Sequence, residues 1–170
     1  IKKLEIHRGS CYVLYGDIGS GKTSLLNLLN KSESNDNDTI FYEMEDINKI
    51  KKTAYHKDVY FVSQEIKTPW FKISIYDYMF KQVSRYKHLS NPKKKIQDIA
   101  GKMNLKSSLN RDYRHLSLGE KRWVELATAI AADTKVLFLD GFGQYLGDDK
   151  INILVRVLYR KINYDGVTVI

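Results

Sequence analysis

The sequence is short of the residues that cross-link or interrupt a chain. Its single cysteine, Cys11, has no disulfide partner within these 170 residues and leaves no cysteine-based zinc site. Only two prolines and ten glycines occur, so each marks a specific turn or boundary. No stretch approaches the roughly 18 apolar residues of a membrane-spanning helix, and residues 1–7 lack the apolar core of a signal peptide. We therefore expect a domain of the reducing cytosol rather than a secreted or membrane-spanning protein.

The charge balance and the length are those of one soluble domain. Lys and Arg number 28 against 20 Asp and Glu, which gives a formal net charge of +8, and 43% of the residues are hydrophobic. A chain of about 150 residues or more folds without staples, so residues 1–170 are predicted to form a single domain. The chain lacks an initial Met and stops on the apolar run 167–170, which predicts a fragment truncated at both ends. The only dense basic run, 93–95, favours a solvated helix face over a lipid-surface or nucleic-acid patch, so a nucleic-acid partner is not expected.

Apolar patterning alternates between strand and helix. Short runs rich in Val, Leu, Ile and aromatics, typical of parallel strands buried on both faces, lie at 11–15, 58–62, 135–139 and 166–170. Apolar residues at helical spacing lie at 22–30, 119–132 and 149–162. Strands that alternate with helices predict an α/β fold, with a mainly parallel core sheet flanked by helices.

Two further local features refine this organisation. Asp148 is the expected N-terminal cap of the last helix. Between roughly 70 and 118 no strand pattern appears, and Asn91-Pro92 is typical of a helix start. This stretch is therefore predicted to be a helical lobe within the domain.

The strongest motif is a phosphate-binding loop. Residues 16–23 match the pattern G-x-x-x-x-G-K-[ST], directly after a predicted strand and before a predicted helix. Glycines there let backbone N–H groups converge on phosphate oxygens, and the helix N-terminus adds partial positive charge. Lys22 would reach the β- and γ-phosphates of a nucleotide, and Thr23 a Mg²⁺ ion. A glycine-rich turn without a ligand is the alternative. The loop consists of Gly16, Asp17, Ile18, Gly19, Ser20, Gly21, Lys22 and Thr23.

A carboxylate at the end of a buried strand would complete the metal site. Asp140 directly follows the apolar run 136–139. Carboxylate oxygens together with nucleotide phosphates are the ligands that Mg²⁺ prefers. The sequence therefore predicts that Asp140 holds Mg²⁺ directly or through water.

Two more motifs, in order along the chain, resemble those of ATP-binding cassette (ABC) ATPases. Gln64 looks like the Q-loop glutamine of that family, and residues 116–120 look like its LSGGQ signature. The helix over 121–130 and the spacing of the four motifs are also similar to the family. Within it, the chain looks most similar to the group that contains FtsE of cell division and the lipoprotein-release and macrolide-export ATPases.

This resemblance implies roles for particular residues. ATP and Mg²⁺ would bind at the phosphate loop, with Ser24 near the α-phosphate, while Gln64 would sense the metal. The signature would contact the γ-phosphate held by the second subunit of a head-to-tail homo- or heterodimer. Its residues are Ser117, Leu118, Gly119 and Glu120. A plain capping box, with Ser117 as cap and Glu120 three residues on, explains the same residues and is compatible with that role.

The resemblance also implies a membrane partner. Residues about 65–90 would face the coupling element of a transmembrane subunit or domain. The protein would then lie on the cytoplasmic face of the inner or plasma membrane.

The departures from the family pattern keep other functions open. The residue after the strand aspartate should be a glutamate that polarises the attacking water, but Gly141 stands there and cannot act as a base. Asp148 and Asp149 are the nearest acidic substitutes. Leu118 stands where the family signature has a second glycine. The alternatives are a degenerate regulatory ATP-binding module with negligible turnover, a non-transport ABC protein acting on nucleic acid or the ribosome, and a small-molecule kinase. The last leaves residues 116–120 unexplained.

Overall fold

A three-stranded parallel sheet forms the centre of the computed structural model, which describes residues 4–36 and 38–170. Its order is β3 (Val59–Val62), β4 (Val136–Leu139) and β5 (Thr168–Val169). The register pairs Val59 with Val136, and Val136 with Thr168. The apolar runs of β3 and β4 form this sheet because both of its faces are covered by helices. The predicted strands at 58–62, 135–139 and 166–170 are confirmed.

The predicted strand at 11–15 is wrong as a regular strand. Cys11 forms one isolated parallel bridge to Val169, and the Tyr12 amide donates to the Val169 carbonyl at 2.8 Å. Beyond that point Val13 is 78% and Tyr15 99% exposed. The described hydrogen bonds of this segment to β5 are confined to residues 10–12 around Val169, so no continuous ladder forms. It nevertheless runs parallel to β5 and continues the order of the sheet.

Helices pack on both faces of the sheet. They are α1 (Lys22–Leu29), α2 (Lys52–Asp58), α5 (Leu118–Ala131) and α6 (Asp148–Asp165), and a short hairpin of β1 (Phe41–Tyr42) and β2 (Glu45–Asp46) precedes α2. All three predicted helical segments are confirmed. The cap of α6 is Gly147 rather than Asp148, because the helix already begins at Asp148. No helix in the described ranges is long and apolar enough to cross a bilayer.

Between β3 and α5 the chain forms helices and turns. The elements are α3 (Ile75–Val83), α4 (Pro92–Lys102) and 3₁₀ turns at Lys106–Ser108 and Tyr113–His115. Ser74 caps α3 by accepting from the Asp77 amide, and Asn91 caps α4 by accepting from the Lys94 amide. The boundaries of a lobe at roughly 70–118 stay a prediction.

The largest apolar core joins these helices to α5. Met79, Ile96, Met103 and Val124 are all fully buried in it. α5 therefore ties the region of α3 and α4 to the sheet.

The basic run at 93–95 is partly used inside the domain. Lys95 pairs with Asp133 at 2.7 Å, and Lys93 lies over the ring of Phe80 at 6.0 Å from its centroid. Lys94 is exposed. The run therefore lies on a solvated helix with two of its cations engaged by neighbours, as predicted.

Candidate nucleotide-binding site

The phosphate loop is an exposed turn that leads directly into α1. Gly21 precedes the helix with φ 85°, and Gly19 has φ 82°, so both adopt the left-handed region that favours glycine. The first helical hydrogen bond joins the Leu25 amide to the Gly21 carbonyl at 2.9 Å. The amides before it have no partner within the helix and carry its positive end. The turn thus presents backbone donors toward solvent.

Lys22 lies across the inside of this loop. Its Nζ donates to the Gly16 carbonyl at 2.6 Å, the Asp17 carbonyl at 2.7 Å and the Ser20 Oγ at 3.1 Å. The ammonium is therefore held by three neutral oxygens, which a phosphate group with full negative charge would outcompete. Thr23 and Ser24 are exposed in the first turn of α1. The predicted phosphate-binding residues thus form one continuous surface.

The sheet brings the other predicted residues to the same edge. β3 and β4 end in register, because the Asp140 amide donates to the Val62 carbonyl at 2.9 Å. The Leu139 amide donates to the Ile170 carbonyl at 2.8 Å, and residues 11–12 run parallel beyond β5. All parallel strands have their carboxyl ends at one edge. Gln64, Asp140 and the phosphate loop consequently lie along that edge.

Asp140 offers an unused carboxylate oxygen. The residue is only 7% exposed, and its Oδ2 is buried without a hydrogen-bond partner. Such an atom loses its hydration and gains nothing in return unless a cation or donor meets it. Across residues 4–36 and 38–170 no group of three His, Cys, Asp or Glu could hold a metal alone. The donors present therefore fit Mg²⁺ bound with a nucleotide, since this ion is usually held by one or two carboxylates plus phosphate oxygens.

The main chain of the Q-loop is anchored by a residue that sequence reasoning missed. Arg122 on α5 is fully buried, and its guanidinium donates to the Ser63 carbonyl at 2.7 Å and also to the Gln64 carbonyl. Its other partner is Glu125 at 3.2 Å. Burial raises the pKa of Glu125 to about 7, although the charge of Arg122 acts to lower that pKa. The sequence offered one signal for this contact, namely a charged residue at a position of α5 where the helical pattern calls for an apolar one.

The signature segment begins α5 through a capping box. The Ser117 Oγ accepts from the Glu120 amide at 3.2 Å, and the Glu120 carboxylate accepts from the Ser117 amide at 2.8 Å. Arg111 also donates to Glu120 at 2.6 Å. The hydrogen bonds from the Ser117 amide and from Arg111 both lower the pKa of Glu120, and the one from Ser117 has the larger effect. Leu118 is 51% exposed. The capping interpretation is confirmed, and contact with a nucleotide on a second subunit stays a prediction.

Gly119 is a point of close approach. A β-carbon added there would lie 2.4 Å from the Tyr145 carbonyl oxygen. The loop after β4 therefore packs directly on the first turn of α5.

The turn after Asp140 contains no acidic residue at the expected position. Gly141 has φ 60°, which would strain any side chain placed there. Of the two acidic substitutes, Asp149 lines a cavity of about 320 Å³ beside α5, together with Glu120 and Trp123. None of the residues that line this cavity belongs to the phosphate loop.

Comparison with known proteins identifies the family. The sequence model of the ABC transporter family matches residues 2–141. A ribose import ATP-binding protein of Bacillus licheniformis is 26% identical over 172 residues, which cover 98% of this chain and 34% of that protein. A sulfate/thiosulfate import ATP-binding protein of Rhizobium meliloti is 32% identical over 142 residues, covering 81% of this chain and 38% of that protein. The chain spans little more than a third of the length of these relatives.

A solved structure gives the same answer. An ABC transporter ATP-binding protein of Pyrococcus furiosus superposes with a TM-score of 0.80 at 25% identity, covering 96% of this chain and 78% of that one. The finer resemblance to the FtsE, lipoprotein-release and macrolide-export group is not supported, because the relatives named above are ribose and sulfate importers. The family match, the motifs and the superposition agree: the chain belongs to the ABC transporter family and has the ABC-type P-loop NTPase fold.

Proposed function

We propose that this chain is the MgATP-binding part of an ABC transporter. The observation that carries the proposal is the phosphate loop, in which three neutral oxygens hold the Lys22 ammonium beside the positive end of α1. The residues that would hold the triphosphate are 16–24. Bound Mg²⁺ would neutralise charge on the phosphates, with Thr23, Gln64 and Asp140 as its protein partners.

The ATP-binding unit would act as a head-to-tail dimer. Ser117 begins α5, a helix of 14 residues, so the positive end of a long helix lies at the signature. Ser117 and Leu118 at the start of this helix are exposed, so a phosphate of a second subunit could approach them. A nucleotide would then bridge residues 16–24 of one copy and residues 117–120 of the other.

The membrane partner would dock on the segment that follows Gln64. Trp70 is 90% exposed and meets Phe71 edge to face at a centroid distance of 5.6 Å, and the Lys81 Nζ lies 5.2 Å from the Phe71 centroid. Exposed aromatics of this kind anchor protein interfaces. A transmembrane subunit that contacts residues 65–90 would place the chain on the cytoplasmic face of the membrane. The importer names of the relatives favour uptake of a small solute.

Lys22→Ala tests nucleotide binding. Loss of the cation removes its charge-assisted contacts to the phosphates, so MgATP affinity should fall at least tenfold, about 1.4 kcal/mol or more. Titration calorimetry on the full-length protein measures it. Lys94→Ala is the matched control, because Lys94 is an exposed lysine on α4. Equal affinities of wild type and Lys22→Ala would refute the proposal.

A second candidate function is that of a regulatory ATP-binding module with negligible turnover. Gly141 favours it, since position 141 supplies no base. The names of the relatives, which are import ATP-binding proteins, do not favour this second function. Steady-state phosphate release by the full-length protein, alone and with its membrane partner, separates the two.

A further inference from the structure

Hydrolysis of a nucleotide at this edge needs an acceptor that orients water toward the γ-phosphate. An amide can serve in place of a carboxylate, because glutamine side chains orient the attacking water in other phosphate-loop enzymes. Gln64 has its main chain held by Arg122. The other glutamine at this edge is Gln144, which lies shortly after the end of β4.

Gln144 folds back over Gly141. Its backbone amide donates to the Gly141 carbonyl at 3.0 Å, which closes a tight turn directly after Asp140. A β-carbon built on Gly141 would meet three atoms of the Gln144 carboxamide before any other residue except its chain neighbours. They are Cδ at 3.2 Å, Nε2 at 3.3 Å and Oε1 at 3.3 Å. The amide therefore occupies space next to the backbone of 141, the position at which the family resemblance places the missing glutamate.

The turn that carries Gln144 is held from its other side. The next residue, Tyr145, packs its carbonyl oxygen against Gly119 at the start of α5, where a β-carbon would approach it to 2.4 Å. The Leu146 amide donates to the Gly143 carbonyl at 3.4 Å. The segment is therefore held to β3 by the Asp140 amide and to α5 by Tyr145, and a side chain on such a segment is better placed to orient a reactant than one on a free loop.

We propose that Gln144 positions the hydrolytic water in place of the missing glutamate. The inference rests on the proposed MgATP binding. Oε1 would accept a hydrogen bond from the water and turn its oxygen toward the γ-phosphorus. As the new P–O bond forms, the bond from the γ-phosphorus to its bridging oxygen breaks and that electron pair stays on ADP. The proton of the water passes to an oxygen of the released phosphate, and Gln144 neither gains nor loses a proton.

The test compares Gln144→Ala and Gln144→Glu with wild type and with Gln97→Ala, a matched control at an exposed glutamine on α4. Each full-length protein is assayed for MgATP affinity by calorimetry and for phosphate release across pH. Gln144→Ala should lower kcat about 10- to 100-fold while the affinity changes less than twofold.

Gln144→Glu provides a readout that a structural role would not move. Its ionised carboxylate is a stronger hydrogen-bond acceptor and base toward water than the protonated acid, so the rate of this variant should rise with pH. Wild type and Gln144→Ala should lack this limb of the pH profile.

Three results from the variants would overturn the inference and leave the proposed function intact. They are an unchanged kcat in Gln144→Ala, parallel losses of affinity and kcat, and a Gln144→Glu profile identical to that of wild type. Wild-type protein that binds MgATP and releases no phosphate would also overturn it, with the binding function intact. Failure of wild type to bind MgATP would instead refute the proposed function.

Discussion

Gly119→Ala tests the contact between α5 and the loop after β4. Alanine normally stabilises a helix by about 1 kcal/mol relative to glycine, so a position without a tertiary constraint should gain from the change. Here the new β-carbon would lie 2.4 Å from the Tyr145 carbonyl oxygen. That atom belongs to the backbone, so relief requires movement of the loop rather than rotation of a side chain.

The clash decides the sign of the effect. Overpacking of this kind costs about 1–3 kcal/mol, and a contact this short with a backbone atom belongs to the upper part of that range. Subtracting the gain in helix propensity leaves a net destabilisation of about 1–2 kcal/mol. Urea unfolding followed by circular dichroism and by tryptophan fluorescence measures it, because Trp123 on α5 is buried and reports on this region.

Gly143→Ala is the matched control. It lies in the same loop, and a β-carbon there would meet no atom within 4 Å. Its substitution should leave the free energy of unfolding unchanged or raise it by up to about 1 kcal/mol. Gly119→Ala with the stability of wild type and the same urea dependence would show that Tyr145 does not pack on Gly119, and would remove the anchor assumed for Gln144.

Two further variants test the dimer and the burial of Glu125, the partner of Arg122. Ser117→Arg should abolish MgATP-dependent dimerisation in sedimentation experiments, with Ser107→Arg as the exposed control. Nucleotide-dependent dimers that survive Ser117→Arg would contradict the head-to-tail arrangement. Glu125→Gln should flatten the pH dependence of stability. The pKa of Glu125 is raised from 4.5 to about 7 in the folded state, so wild type binds more protons folded than unfolded, and its free energy of unfolding should fall as pH rises from 4.5 to 7. An identical slope in both proteins, from urea unfolding across that range, would refute a buried Glu125.

Local patterns in the sequence were enough for most of the fold and for the phosphate loop. The loop at 16–23 is one contiguous motif whose glycines and lysine act through the backbone around them. β3 and β4 follow from short apolar runs of the kind that suits strands buried in a parallel sheet. The capping box at Ser117 and the cap at Asn91 involve residues three apart, so the sequence also determines them.

Tertiary structure decided what depends on distant partners. Residues 11–15 have the composition of a strand, yet only residues 10–12 pair with Val169, and Val13 and Tyr15 lie in solvent. In the sequence, Arg122 is simply a charged residue within an apolar helix pattern. Folding brings its guanidinium to the carbonyls of Ser63 and Gln64, which lie 59 and 58 positions earlier in the chain. The packing of Tyr145 on Gly119 and the return of Gln144 to Gly141 are likewise set by how the chain closes on itself. A pattern of residue types records which surfaces are buried, and the folded chain alone fixes which atoms meet there.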